Sequence, residues 1–236
     1  MTLSKVKELL VDLFFPKVCL LCKREGEYLC EDCRATLDFT KDFFCLCDPP
    51  KKISFPGKCE KCQHKNLDGL FFPFSYRDPL IKKLIHNFKY EPFVRELAVS
   101  FALCLKDYLL SLDTKIDLSD FLVLPVPIEK RKLKWRGYNQ AEELAKYFCK
   151  EFDLELKTDI LVKIKNTPSQ TELNKKERKA NVRNCFQIKR KEEIKGRKIL
   201  LIDDVYTTGA TLEEIAKILK KSGAKSVFAQ VLARGE

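Results

Sequence analysis

Asp203 and Asp204 stand side by side at the end of the apolar run 199–202, and three positions further on comes Thr207-Thr208-Gly209-Ala210-Thr211. Two adjacent carboxylates can each accept from a sugar hydroxyl, or hold Mg²⁺ directly or through water. The hydroxyls of Thr207, Thr208 and Thr211 can donate to phosphate oxygens, and Gly209 lets the main chain approach an anion closely. Thr211 and Glu214 have capping-box spacing ahead of an apolar helical pattern. A helix start there would add unpaired N–H groups and the positive end of a dipole. Acids at one end and a phosphate cradle at the other describe a ribose 5-phosphate site. Taken singly, the acids also read as a strand end and the glycine run as a capped turn. Their order selects the sugar phosphate.

A second set of chemistry-bearing residues lies near the other end. Eight of the 11 cysteines form four close pairs: Cys19 with Cys22, Cys30 with Cys33, Cys45 with Cys47, and Cys59 with Cys62. Thiolates at such spacing form knuckles, and two knuckles complete a tetrahedral Zn²⁺ shell. Lys5, Lys7, Glu8 and Asp12 interrupt the first apolar run, so it does not read as an export leader, and disulfides are the disfavoured account. Sequential pairing predicts one structural zinc on Cys19, Cys22, Cys30 and Cys33, and another on Cys45, Cys47, Cys59 and Cys62. A crossed pairing also fits the spacing, and His64 lies close enough to Cys62 to replace a ligand. So short a segment cannot build a large core, and each zinc would contribute on the order of 10 kcal/mol to its folding. Cys104, Cys149 and Cys185 stand alone and read as small buried side chains.

Elements must position these residues. At 236 residues and 45% hydrophobic composition, the chain suffices for one good core and an appendage. An N-terminal helix and zinc-binding module is expected over residues 1–68, and an α/β domain over 69–236. Leu3, Val6, Leu9, Leu10, Leu13 and Phe14 recur at helical spacing up to Pro16. Beyond the cysteines, strands are expected at 69–76, 121–124, 186–188, 198–202 and 226–232, with a further apolar stretch at 158–164. Helices are expected at 78–87, 91–112 and 212–222. This alternation predicts a mainly parallel sheet flanked by helices. The strand at 121–124 leads into Pro125-Val126-Pro127, then into a loop bearing Lys130, Arg131, Lys132, Lys134 and Arg136, cations suited to a pyrophosphate. Residues 166–185 carry few apolar side chains and read as an active-site cover set between strands of one sheet. Much of the net charge of +11 falls within 163–198, which points to an anionic ligand or partner there. No stretch approaches the roughly 20 apolar residues of a membrane span, so a cytoplasmic location is expected.

The apolar strand, Asp203-Asp204-Val205, two variable residues and Thr208-Gly209-Ala210-Thr211 together resemble the signature of type I phosphoribosyltransferases. That resemblance implies that Asp203 and Asp204 meet the ribose hydroxyls of phosphoribosyl pyrophosphate and that Thr207 to Thr211 wraps its 5-phosphate. The cysteine-rich start, Leu84-Ile85-His86-x-x-Lys89-Tyr90, Pro125-Val126-Pro127 and Arg136-Gly137-Tyr138-Asn139-Gln140 extend the match. So do Thr167-x-x-Gln170-x-x-Leu173 and Arg178-x-x-Asn181-Val182. This order resembles the ComF/GntX family of competence-associated proteins over nearly the whole chain, Cys45-x-Cys47 being one residue shorter than a normal knuckle. The resemblance implies a double zinc ribbon joined to a type I phosphoribosyltransferase-like domain, binding two structural zinc ions, Mg²⁺ and phosphoribosyl pyrophosphate. It also implies a role in natural transformation, in handling single-stranded DNA beside DNA-uptake or DNA-processing proteins. Arg131 or Arg136 would reach the pyrophosphate. No acceptor-binding hood is recognisable and no catalytic residue is singled out. Two readings therefore stand: phosphoribosyl transfer with pyrophosphate release, and a non-catalytic single-stranded-DNA adaptor or phosphoribosyl pyrophosphate sensor.

Overall fold

The computed structural model describes residues 16–165 and 182–235. Two compact units, Met1–Asp38 and Phe39–Glu236, make up the chain. The helix expected over residues 3–14 lies outside the described residues. So do positions 166–181 of the expected cover, with Thr167, Gln170, Leu173, Arg178 and Asn181. Among the described residues, no helix is long and apolar enough to cross a membrane.

Among its described residues, 16–38, the first unit has little regular structure. A knuckle turns at Cys19, whose carbonyl accepts from Lys23 N at 3.0 Å while Lys23 takes a left-handed φ of 69°. Val18 bridges Glu25, and a single helical turn, α1 (Glu31–Ala35), follows Cys30.

The second unit opens with the antiparallel pair β1 (Phe43–Phe44) and β2 (Lys52–Ile53) and a short 3₁₀ turn, Glu60–Cys62. Thereafter strands and helices alternate: β3 (Gly69–Phe71), β4 (Phe74–Ser75), α2 (Pro79–Lys89), α3 (Leu97–Ser111), β5 (Phe121–Pro125), α4 (Lys130–Arg136) and α5 (Gln140–Phe152). There follow β6 (Glu155–Leu156), β7 (Leu161–Lys163), β8 (Phe186–Ile188), β9 (Lys198–Ile202), β10 (Val205–Tyr206), α6 (Ala210–Lys221), β11 (Ser226–Gln230) and β12 (Ala233–Arg234). The main sheet runs β3-β11-β9-β5-β6 and every pairing in it is parallel. Its central strands are buried on both faces, as their continuous apolar sequence requires. The second cysteine quartet belongs to this unit: Cys45, Leu46 and Cys62 share one apolar core with Leu201, Leu212 and Ile215.

Three neighbouring strands do not simply stop at the carboxyl edge. After a two-residue break, β9, β11 and β3 continue as β10, β12 and β4, which pair in the same parallel order. Asp203-Asp204 is the break on β9. The Asp204 carbonyl accepts from both Leu232 N (2.9 Å) and Ala233 N (3.1 Å), and Asp203 N donates to the Gln230 carbonyl at 3.1 Å. The acid pair is thus held by main-chain bonds on the neighbouring strand.

Three expectations are corrected. The second long helix begins at Leu97, because Pro92 lacks an N–H and Phe93 adopts φ 54°, so residues 91–96 turn before the helix can start. Residues 130–136 are a helix instead of a charged loop, closed by Gly137 in the left-handed region at φ 82°. Finally, Phe186–Ile188 is not in the sheet of Lys198–Ile202. It pairs antiparallel with Leu161–Lys163 in a separate two-stranded ribbon.

Candidate functional site

Beyond the carboxyl end of β9 lies a cavity of about 370 Å³, lined by Asp203, Asp204, Thr207, Thr208, Gly209, Ala210 and Thr211. Arg136 lines it as well, so eight of the nine expected binding residues converge there. Arg131 does not. On a helix, residues 132 and 136 share a face, and Lys132 instead reaches the cavity beside Arg136 while Arg131 is exposed.

Asp204 is 3% exposed, and one carboxylate oxygen receives Lys89 Nζ at 2.8 Å. The other, Oδ2, is buried and has no hydrogen-bond partner among the described residues. Asp203 accepts from Asp204 N through Oδ1 at 2.9 Å. Burial, reinforced by the Asp204 charge, pushes the Asp203 carboxyl up to about 7, although Lys89 and that N–H act the other way. For Lys89, burial favours the neutral amine, but attraction to Asp204 prevails and raises its pKa. Arg136 is buried too. It donates to Gln140 Oε1, lies 5.9 Å from the Tyr90 ring centroid, and its Nε has no partner among the described residues.

The threonine-glycine loop joins β10 to α6. Gly209 has φ 70°, and a Cβ there would collide with the Tyr206 ring, so glycine is required on both counts. The expected capping box does not form. The helix starts at Ala210 behind Gly209, which has no side chain to cap it, Thr208 Oγ1 accepts from Ala210 N at 3.4 Å, and Glu214 instead accepts from Asn184 N at 2.9 Å. A helix start whose cap residue is glycine is open to the approach of an anion. The neighbouring Glu213 also looks away from the loop, accepting from Asn66 N (2.6 Å), Asn66 Nδ2 (2.7 Å) and Leu67 N (3.2 Å).

The cysteines gather into two quartets, Cys19/Cys22/Cys30/Cys33 and Cys45/Cys47/Cys59/Cys62, each with its sulfurs within 4.8 Å of one another. The pairing is sequential, not crossed. Neither group includes His64, which is exposed. Sulfur separations of 3.6 Å for Cys22–Cys30, 3.3 Å for Cys47–Cys59 and 3.4 Å for Cys47–Cys62 are far too long for disulfides. They approach the roughly 3.8 Å edge of a tetrahedron built on Zn–S bonds of about 2.3 Å. In each quartet the backbone favours a thiolate at one cysteine, while burial and the neighbouring sulfurs push the Cys33 and Cys62 thiols up. At Cys19, burial opposes ionisation, but the N–H groups of Cys30, Cys22 and Leu21 bring the thiol down to about 6. At Cys45, burial is likewise outweighed, chiefly by Cys59 N, which donates to Sγ at 3.1 Å, and its pKa is about 6. The donor set and geometry of both quartets fit zinc.

Of the further cavity residues, Lys132 was among the cations expected to suit a pyrophosphate, whereas Lys89, Lys163 and Tyr206 had been given no ligand role of their own. For Lys89 a signal existed, since a lysine follows directly on the buried Phe88 at the end of an amphipathic helix.

The model of the family described as "Phosphoribosyl transferase domain" matches residues 134–236. Competence protein F of Haemophilus influenzae is 30% identical over 88% of this chain and 97% of its own length. DNA utilization protein YhgH of Escherichia coli K12 is 29% identical, covering 94% and 99% respectively. Competence protein ComFC of Streptococcus pneumoniae is 29% identical, covering 91% of each chain. The fold is accordingly type I phosphoribosyltransferase-like, a mainly parallel sheet flanked by helices with two four-cysteine clusters in the N-terminal part.

Proposed function

We propose that this chain, which belongs to the competence protein F family, binds phosphoribosyl pyrophosphate with Mg²⁺ in the β9 cavity and acts in natural transformation. One observation carries the binding reading. A buried Asp204 carboxylate oxygen with no partner among the described residues lines the same cavity as a glycine-capped helix start and a threonine-glycine loop. A buried acceptor left unsatisfied costs about 1–3 kcal/mol, which a ribose hydroxyl would recover. The 5-phosphate would lie on residues 207–211, the ribose on Asp203 and Asp204, and the diphosphate towards Arg136, Lys132 and Lys163. Bound Mg²⁺ would neutralise charge on the diphosphate. In a transfer reaction, an acceptor lone pair forms the new bond at the anomeric carbon as the bond to pyrophosphate breaks. The cations of this wall would stabilise the departing charge.

Calorimetric titration with phosphoribosyl pyrophosphate tests the reading. Binding that needs Mg²⁺ and weakens at least tenfold in Asp203→Asn is expected, and no heat of binding with Mg²⁺ present would sink it. Pyrophosphate release with candidate acceptors separates enzyme from sensor.

A second reading, single-stranded DNA binding in a transformation adaptor, is favoured by α4. Trp135 is 55% and Leu133 43% exposed, among the exposed Lys130, Arg131 and Lys134. Cations with an exposed aromatic ring offer phosphate contacts and base stacking. Affinity for an oligonucleotide should then fall steeply with salt, and more than tenfold in Trp135→Ala. Weak, salt-insensitive binding would count against it.

A further inference from the structure

The second quartet is wired to the threonine-glycine loop by side chains that the ligand reading does not use. Arg234 Nη1 donates to the Cys45 carbonyl at 2.8 Å and Nη2 to the Cys47 carbonyl. Its guanidinium lies 5.3 Å from the Tyr206 ring centroid and 5.7 Å from that of Phe72. Tyr206 in turn packs against Gly209 and pairs with Arg234 across β10 and β12. A forked guanidinium can bind two carbonyls two residues apart only while the knuckle between them keeps its shape. The paired sheet around Cys45 is two residues per strand, and beside the burial of Cys45 and Leu46 and the bonds from Lys65 Nζ to the Leu46 carbonyl and from Cys45 N to the Lys51 carbonyl, four sulfurs converging on one ion would fix that shape further.

A second tether runs parallel to the first. Glu213, in the first turn of α6, takes three N–H bonds from Asn66 and Leu67, just beyond the Cys62 knuckle. Asp68 next to them is bound by Lys220 at the far end of the same helix and by Val227 N at 2.7 Å. The quartet is therefore clasped to both ends of the helix whose start forms the loop.

We propose that the second quartet controls the affinity of the 207–211 loop for phosphate. With the quartet loaded, the Cys45 and Cys47 carbonyls hold Arg234, Arg234 holds Tyr206 beneath Gly209, and Glu213 holds the first turn of α6. With the quartet empty, the loop loses its backing and binds phosphate less well. This rests on reading the cavity as a phosphate site. Arg234 and Glu213 are positioning residues, and neither needs to touch the ligand.

The test uses the full, zinc-loaded chain with ribose 5-phosphate and inorganic phosphate as probes, alongside hydrogen–deuterium exchange. Arg234→Gln, Glu213→Gln and Cys59→Ser should each weaken ribose 5-phosphate binding at least tenfold. Each should also speed exchange at residues 205–211 while leaving 121–125 unchanged. Arg234→Lys, which keeps the charge but loses the fork, should fall between wild type and Arg234→Gln. Should Cys59→Ser fail to fold, the Arg234 and Glu213 variants decide on the same thresholds. Affinity within twofold of wild type and unaltered exchange at 205–211 would overturn the coupling and leave the phosphate reading standing. A wild-type chain that binds neither probe would overturn both.

Discussion

Asp204 and Lys89 form the most consequential pair of side chains in the site. Breaking a buried pair from one side leaves an uncompensated charge, so Lys89→Met should lower unfolding free energy by about 3–5 kcal/mol. Adding Asp204→Asn should restore much of that loss, and a denaturant-unfolding double-mutant cycle measures it. Asp203 makes a prediction of the opposite kind. Its folded pKa, about 7, lies above the ordinary carboxylate value. The folded state therefore binds the proton more tightly, and its relative advantage is fully present at acid pH and lost as pH rises through 7. Asp203→Asn should flatten thermal stability between about pH 4 and pH 7 and stabilise the protein at pH 8 by on the order of 2 kcal/mol. A variant that keeps the wild-type slope would contradict the assignment. The contiguous stretch from Asp203 to Thr211 was legible because neighbours in sequence carried the whole pattern. The Lys89–Asp204 pairing was not, since a lysine ending an amphipathic helix does not say which carboxylate, here 115 positions away, it will meet.

Helices decide which of the expected cations face the ligand. Reading residues 130–136 as a loop made Arg131 and Arg136 equivalent, whereas helical periodicity turns Arg136 and Lys132 inward and Arg131 out. Asn139 ties that turn to its surroundings. As N-cap of α5 it accepts from Ala141 N at 3.1 Å, and its Nδ2 donates to the Val126 carbonyl at 3.0 Å. Losing both bonds in Asn139→Ala should cost about 1–2 kcal/mol in denaturant unfolding. The capping-box spacing of Thr211 and Glu214 misled for a related reason. Gly209 starts the helix earlier, and tertiary contacts recruit Glu213 and Glu214 elsewhere.

At the scale of the whole molecule, the cysteine spacing conveyed ligand grouping but not which core each group joins. Both quartets fall within residues 1–68, yet the compact units divide between Asp38 and Phe39, and Cys45 and Cys62 are buried with the α/β core. Packing against Leu67 and Leu212 decides that, and the spacing of thiols carries no record of it. Elemental analysis should find two zinc equivalents per chain, falling to one in Cys30→Ser; a value of two in that variant would argue against the first quartet as a metal site. The alternation of strands and helices was legible because buried parallel strands are short apolar runs, while the antiparallel partner of Phe186–Ile188 was not. That ribbon has a consequence for protein engineering. Ile164 N reaches the Cys185 carbonyl at 2.8 Å, so the ends of the intervening segment are fixed at neighbouring-strand distance whatever lies between them. Because that ribbon pairs with neither β5 nor β9, a change made at its two strands leaves the pairings of the parallel sheet untouched.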